Sequence, residues 1–70
     1  MNLKHLKAFL TVLQEGTLNR ASLKLNISQP ALSKIIQTLE LHVECKLLER
    51  SARGVRPTIF GAALEQHAKL

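Results

Sequence analysis

The sequence has no Trp or Tyr, two Phe, one Cys, two Pro and three Gly in 70 residues. Each shortage excludes something. With Phe9 and Phe60 as the only aromatics, the chain lacks the flat side chains on which successive unpaired bases stack, which argues against a single-strand platform. Cys45 stands alone, so no intrachain disulfide can form; this fits a reducing compartment. Such a residue is read as a small packed hydrophobe. The opening Met1-Asn2-Leu3-Lys4 is followed by no apolar run long enough for a signal peptide or a membrane span. A cytoplasmic location and no membrane partner are expected. His5, His42 and His67 are too scattered for a metal-ligand spacing, and no glycine-rich phosphate loop occurs. No catalytic residue, metal or cofactor is expected in this segment, and the chain does not read as an enzyme.

What is present is basic and apolar. Ten Lys and Arg against five acids give a net charge of +5, a balance that draws a small domain to polyanions. Residues 1–39 hold five of the bases and one acid, whereas 40–70 hold five bases and four acids. The excess lies in the first half, with a second cluster at Lys46, Arg50, Arg53 and Arg56. A chain of this size buries only about 60% of the surface its unfolded form exposes, so one small core is the most it can build. Its 46% hydrophobic content is enough for three helices.

Leu3, Leu6, Phe9, Leu10 and Leu13 recur at spacings of three and four, predicting an amphipathic helix over 3–15 that Gly16 closes. Thr17 is a good N-cap for a short second helix over 18–25, with Leu18, Ala21 and Leu25 on its inner face. Asn26 and Ile27 break the chain. Ser28 caps a third helix over 29–43, with Pro30 in its first turn, where a missing amide hydrogen is harmless. Leu32, Ile36, Leu39 and Val43 form its apolar stripe. Leu47–Arg50 suits a strand, Ser51–Gly54 a turn, and Val55–Pro57 a return strand ending at an edge proline. A lone hairpin is marginal, so this one must lean on the helices as a wing. Thr58 can cap a fourth helix bearing Ala62, Ala63, Leu64, His67 and Ala68. Its pattern is unfinished at Leu70, as in a fragment cut within a helix.

Two helices joined by a three- or four-residue break have helix-turn-helix spacing. On a helical wheel the third helix turns Pro30, Ser33, Lys34 and Gln37 away from its apolar stripe, with Gln29 at the leading end. These side chains can enter a major groove: Gln pairs with an adenine edge, Lys donates to guanine, and Pro30 suits a thymine methyl. The plain alternative is a solvated helix face. Ser28 at a helix start, with its free amides and positive dipole end, is a candidate phosphate contact, as are Thr17, Asn19 and Arg20 at the start of the second helix. Arg53 at the hairpin tip can reach a minor groove. Arg50 and Arg56 fall in the strands, where pairing with Glu49 or Glu40 competes with such a role. Leu41 points off the core stripe and Ile35 lies on its edge, which implies packing against the wing or another chain. A winged helix that binds protein would present an apolar third-helix face, and Gln29, Ser33, Lys34 and Gln37 are not apolar.

The run Ala21-Ser22-Leu23-Lys24-Leu25-Asn26-Ile27-Ser28-Gln29-Pro30-Ala31-Leu32-Ser33-Lys34-Ile35-Ile36 resembles the helix-turn-helix of LysR-type regulators. Ser28-Gln29-Pro30-Ala31-Leu32-Ser33 is its most specific string. Leu39-Glu40, Leu47-Leu48-Glu49-Arg50, Thr58 and Gly61 fall in the same register, and the resemblance covers almost the whole chain. It implies a mainly α winged helix-turn-helix over 1–57, with a three-helix core and a two-stranded wing, followed over 58–70 by the start of a linker helix for dimerisation. It implies sequence-specific binding of double-stranded DNA in a bacterial transcription regulator. Gln29, Pro30, Ser33 and Lys34 would read bases in the major groove, and Arg53 would enter the minor groove. It further implies pairing into homodimers or tetramers, weak in this segment alone, and a small-molecule effector bound by a C-terminal domain. The chain departs from the family pattern at four places. Glu44 replaces a usual glycine, so the turn after the third helix is expected to be built differently. Leu48 replaces phenylalanine, and Ile35 a polar residue. Lys34 replaces an arginine and so lacks its bidentate fork.

Overall fold

The first three helices form where the apolar spacing and the caps agree. In the computed structural model, which describes residues 2–68, α1 spans Leu3–Glu15, α2 Leu18–Leu25 and α3 Gln29–Val43. Asn2 Oδ1 accepts the Lys4 amide at the start of α1, and Gly16 closes it at φ 84°. Thr17 caps α2 by accepting the Arg20 amide at 3.1 Å. Ser28 caps α3 by accepting that of Ala31, also at 3.1 Å. Each cap satisfies one of the amides that a helix start leaves without a partner.

Two left-handed residues that are not glycine end the other helices. Asn26 (φ 59°) closes α2 and Glu44 (φ 59°) closes α3. Asparagine tolerates this region; glutamate has a Cβ that does not favour it. The expected rebuilding of the turn at Glu44 is therefore corrected. The chain makes the left-handed closure a glycine would make, and Glu44 adopts it.

The core lies where the three helices meet. Phe9 and Val12 of α1, Ala21 of α2, and Leu32, Ile36 and Leu39 of α3 are buried together with Leu47 and Leu48. Full burial of side chains such as Phe9, Leu32 and Leu39 stabilises the fold by about 1.5–3 kcal/mol each. Ile35, Val43 and Cys45 pack on the margin of this cluster.

The wing is an antiparallel hairpin of β1 (Leu48–Ser51) and β2 (Gly54–Pro57), with Leu48 opposite Pro57 and Ser51 opposite Gly54. The turn is thus shorter than the four residues the sequence suggested. Ser51 and Gly54 make the last rung, leaving Ala52 and Arg53 as a two-residue loop. Gly54 has φ 124°, and a Cβ there would collide with the Gly16 carbonyl. That close approach lets the Val55 amide donate to Gly16 at 2.9 Å. The turn between α1 and α2 so covers the outer edge of β2, an edge that would otherwise be open for pairing.

α4 spans Ile59–Ala68; the expectation of a helix unfinished at Leu70 falls outside the described residues. Thr58 holds its start. The Thr58 hydroxyl accepts the Gly61 amide at 3.0 Å and donates to the Lys46 carbonyl at 2.7 Å. Gly61 is buried because the Leu47 carbonyl occupies the space a Cβ would need. The first turn of α4 is therefore bound to the wing and core, and Leu64 packs against the same cluster.

Candidate nucleic-acid interface

α3 turns one side to the core and the other to solvent. Leu32, Ile36 and Leu39 are buried, while Gln29, Pro30, Lys34 and Gln37 are exposed; Ser33 is half-buried at the boundary. The short cap at Ser28 and the break at Asn26–Ile27 set α2 beside the leading end of α3. From α2, Asn19 Oδ1 accepts Gln29 Nε2–H at 3.1 Å, so the amide at the tip of α3 is steadied by its neighbour helix. From the wing, Arg50 Nη2–H donates to Ser33 Oγ at 3.0 Å. Two of the predicted site residues, Gln29 and Ser33, are therefore held in place by side chains distant in sequence.

The remaining predicted residues flank this face. Thr17 is half-buried and its hydroxyl serves the Arg20 amide; Ser28 is exposed and serves that of Ala31. Arg20 and Lys24 are exposed on α2, each 3.8 Å from the Glu15 carboxylate. Long, loosely held pairs whose cations are this exposed contribute little to stability and leave both cations available to another anion. Arg53 is exposed in the hairpin loop, where its amide donates to Ser51 Oγ at 3.2 Å. The basic groups thus stand on α2 and on the wing, the two elements whose side chains bond to the leading turns of α3.

Arg50 is the site residue that sequence reasoning missed. Of the two readings open for Arg50 and Arg56, pairing with Glu49 or Glu40 holds for Arg56, which meets Glu49, and not for Arg50, which meets neither acid. Neighbours on a strand point to opposite faces, so Glu49 cannot meet Arg50. It meets Arg56 instead, its cross-strand partner, at 3.9 Å. Glu40 is taken up by the Leu47 and Leu48 amides, at 2.8 and 3.4 Å, and by Lys46 at 3.8 Å. The signal available in the sequence was the alternation of β1, which places Arg50 on the face opposite Glu49.

Gln37, Lys46 and Arg50 border an open groove of about 440 Å³ between α3 and β1, floored by Ile36 and Leu48. Among the described residues neither the wing nor any other element covers Leu41, which is 79% exposed. His5 is half-buried and His42 and His67 are exposed, and among the described residues no group of His, Cys, Asp or Glu is arranged to hold a metal ion. No described helix is long and apolar enough to cross a membrane.

The sequence and the fold that carry this face are similar to those of known proteins. Residues 3–62 match the family described as "Bacterial regulatory helix-turn-helix protein, lysR family". The nitrogen assimilation regulatory protein nac of Klebsiella aerogenes is 45% identical over 69 residues, covering 99% of this chain and 23% of that protein. The DNA-binding domain of BenM, a regulator of Acinetobacter baylyi, superposes with a TM-score of 0.92 in its complex with benA site 1 DNA. That match is 42% identical and covers 99% of this chain and 80% of the other. Full-length LysG from Corynebacterium glutamicum, solved with bound effector Arg, gives a TM-score of 0.91 at 36% identity; it covers 99% of this chain and 23% of that one. The chain spans under a quarter of the length of the curated relatives it matches. By its sequence match and its fold, the chain belongs to the LysR family of bacterial regulatory helix-turn-helix proteins.

Proposed function

We propose that this chain binds double-stranded DNA in a sequence-specific way, as the DNA-reading part of a LysR-type transcription regulator. The observation that carries this reading is the outer face of α3. Gln29, Pro30, Lys34 and Gln37 are exposed together on a helix whose other side is locked into the core. In the major groove, Gln29 would pair with an adenine edge, Lys34 would donate to guanine, Pro30 would lie against a thymine methyl, and Ser33 and Gln37 would contact adjacent base edges. Thr17, Asn19, Arg20 and Ser28 border that face toward the phosphates, and Arg53 is carried by the wing to the minor groove.

The relatives are regulators, and the complex of the BenM domain with DNA supports DNA binding by this fold. A polar α3 face speaks against a winged helix that docks on protein, and relatives that are transcriptional regulators speak against catalysis. In this reading residues 1–57 form the DNA-binding unit and 58–70 begin a linker helix. Ile59 and Phe60, 85% and 61% exposed on α4, offer an apolar surface for pairing into a homodimer or tetramer. The protein works in the bacterial cytoplasm. DNA reading calls for no cofactor; a small-molecule effector belongs to a separate C-terminal domain.

Fluorescence anisotropy of the 70-residue chain with labelled duplexes, over a series of salt concentrations, tests the reading. Affinity should fall linearly with salt on logarithmic axes, by about 0.9 per neutralised phosphate. A duplex selected from a random pool should outcompete random DNA. Binding that is indifferent to salt and to sequence would refute it.

A further inference from the structure

The bond between the wing and α3 fixes more than position. Arg50 Nη2–H donates to Ser33 Oγ at 3.0 Å. A guanidinium has five N–H donors and no acceptor, so Ser33 must be the accepting partner. A serine hydroxyl carries one proton. In the two buried helical hydroxyls of this chain that proton goes to the backbone: Thr11 donates to the Lys7 carbonyl at 2.9 Å and Ser22 to the Asn19 carbonyl at 2.8 Å. Ser33 donates to no group among the described residues. Its proton remains for a ligand, beside exposed Pro30 and Lys34.

The charge on Arg50 adds a second effect. A hydrogen bond from a cation withdraws electron density from the hydroxyl, making its proton a stronger donor and its oxygen a poorer acceptor for anything else. We propose that Arg50 is a positioning residue for base reading: by engaging one of the two lone pairs of Ser33 Oγ and weakening the other, it biases Ser33 toward donating to the duplex. Ser33 then favours a base presenting an acceptor in the major groove, a purine N7, guanine O6 or thymine O4, over the amino group of cytosine. The inference rests on the DNA-reading function proposed above, and Arg50 acts through Ser33 whether or not it touches DNA itself.

Selection of bound duplexes from a random pool tests this with five proteins: the unaltered 70-residue chain, Ser33→Ala, Arg50→Met, Arg50→Lys and the double variant Ser33→Ala/Arg50→Met. The unaltered chain should select an acceptor-bearing base at the half-site position that Ser33→Ala flattens. That flattening should amount to about three- to tenfold, the span of an ordinary net hydrogen bond. Arg50→Met should flatten the same position by a similar factor, and the double variant should lose no more there. Arg50→Lys keeps the charge but lacks the planar, directed donor. It should retain affinity for random DNA and still lose part of that preference, and it carries the test if Arg50→Met fails to fold. A uniform loss on all sequences in Arg50→Met, fully restored by Arg50→Lys, makes Arg50 a plain charge and overturns the proposal. So does selection of cytosine at the position Ser33→Ala flattens. If the unaltered chain enriches no duplex, the proposed function fails and takes this inference with it. If it enriches one while the Arg50 variants keep every base preference, only the inference fails.

Discussion

The Glu40 carboxylate accepts the Leu47 amide at 2.8 Å, so a side chain of α3 holds the residue that leads into the wing. The Leu47 carbonyl in turn accepts the Thr58 amide at 3.0 Å. Leu47 is thereby fixed from both sides, by α3 and by the residue that caps α4, and the wing is held at a set angle to α3.

Removing that carboxylate strands a buried amide. Glu40→Ala should destabilise the chain by about 1–3 kcal/mol, the penalty for a buried donor left without a partner. Glu49→Ala, which breaks only the exposed pair with Arg56, should change stability by less than about 1 kcal/mol. Thermal unfolding of the two variants checks this; equal losses would contradict the anchoring role of Glu40.

The left-handed closure at Glu44 predicts a gain. A non-glycine residue in this region is disfavoured by about 1–2 kcal/mol, offset in part by the greater freedom glycine has when unfolded. Glu44→Gly should therefore stabilise the chain by about 0.5–1 kcal/mol in urea unfolding. Asn26→Gly, at the same φ, should give a smaller gain because asparagine tolerates the conformation better.

At Gly61 packing and propensity oppose one another. Helix propensity alone favours Ala over Gly by about 1 kcal/mol. A Cβ at this position runs into the Leu47 carbonyl, which is backbone and already bonded to Thr58. Gly61→Ala should therefore destabilise, by about 1–3 kcal/mol as in other overpacked sites. A melting temperature at or above that of the unaltered chain would show that α4 is not seated on Leu47 as described.

Base reading and phosphate contact separate by their pattern of loss. Lys34→Ala or Gln29→Ala should weaken binding by about 1–3 kcal/mol for particular bases and little for random DNA. Arg20→Ala should weaken all sequences alike and lower the salt slope by about one. Titrations on selected and random duplexes distinguish them; equal losses on both for the α3 variants would remove the base-reading assignment.

Much of this was legible along the chain. The apolar spacing of Leu3–Leu13, the caps Thr17 and Ser28, the stop at Gly16 and the stripe Leu32–Ile36–Leu39 are each settled by residues within a turn or two of one another. Helix bounds and the outward turn of Gln29, Pro30, Lys34 and Gln37 follow from that local chemistry. The hairpin was legible too, but not its register, because whether Ser51 and Gly54 pair or turn depends on what lies against the glycine.

The sequence by itself determined which segments are helices, which face of α3 is polar, and the basic balance that draws the chain to a polyanion. The folded arrangement decided the rest. Asn19 meets Gln29 across ten positions and Arg50 meets Ser33 across seventeen, distances over which neither spacing nor periodicity carries information. Only packing α2 and the wing against successive turns of one helix brings such groups within hydrogen-bond reach, which is why the residues near Arg50 in the sequence do not point to its partner on α3.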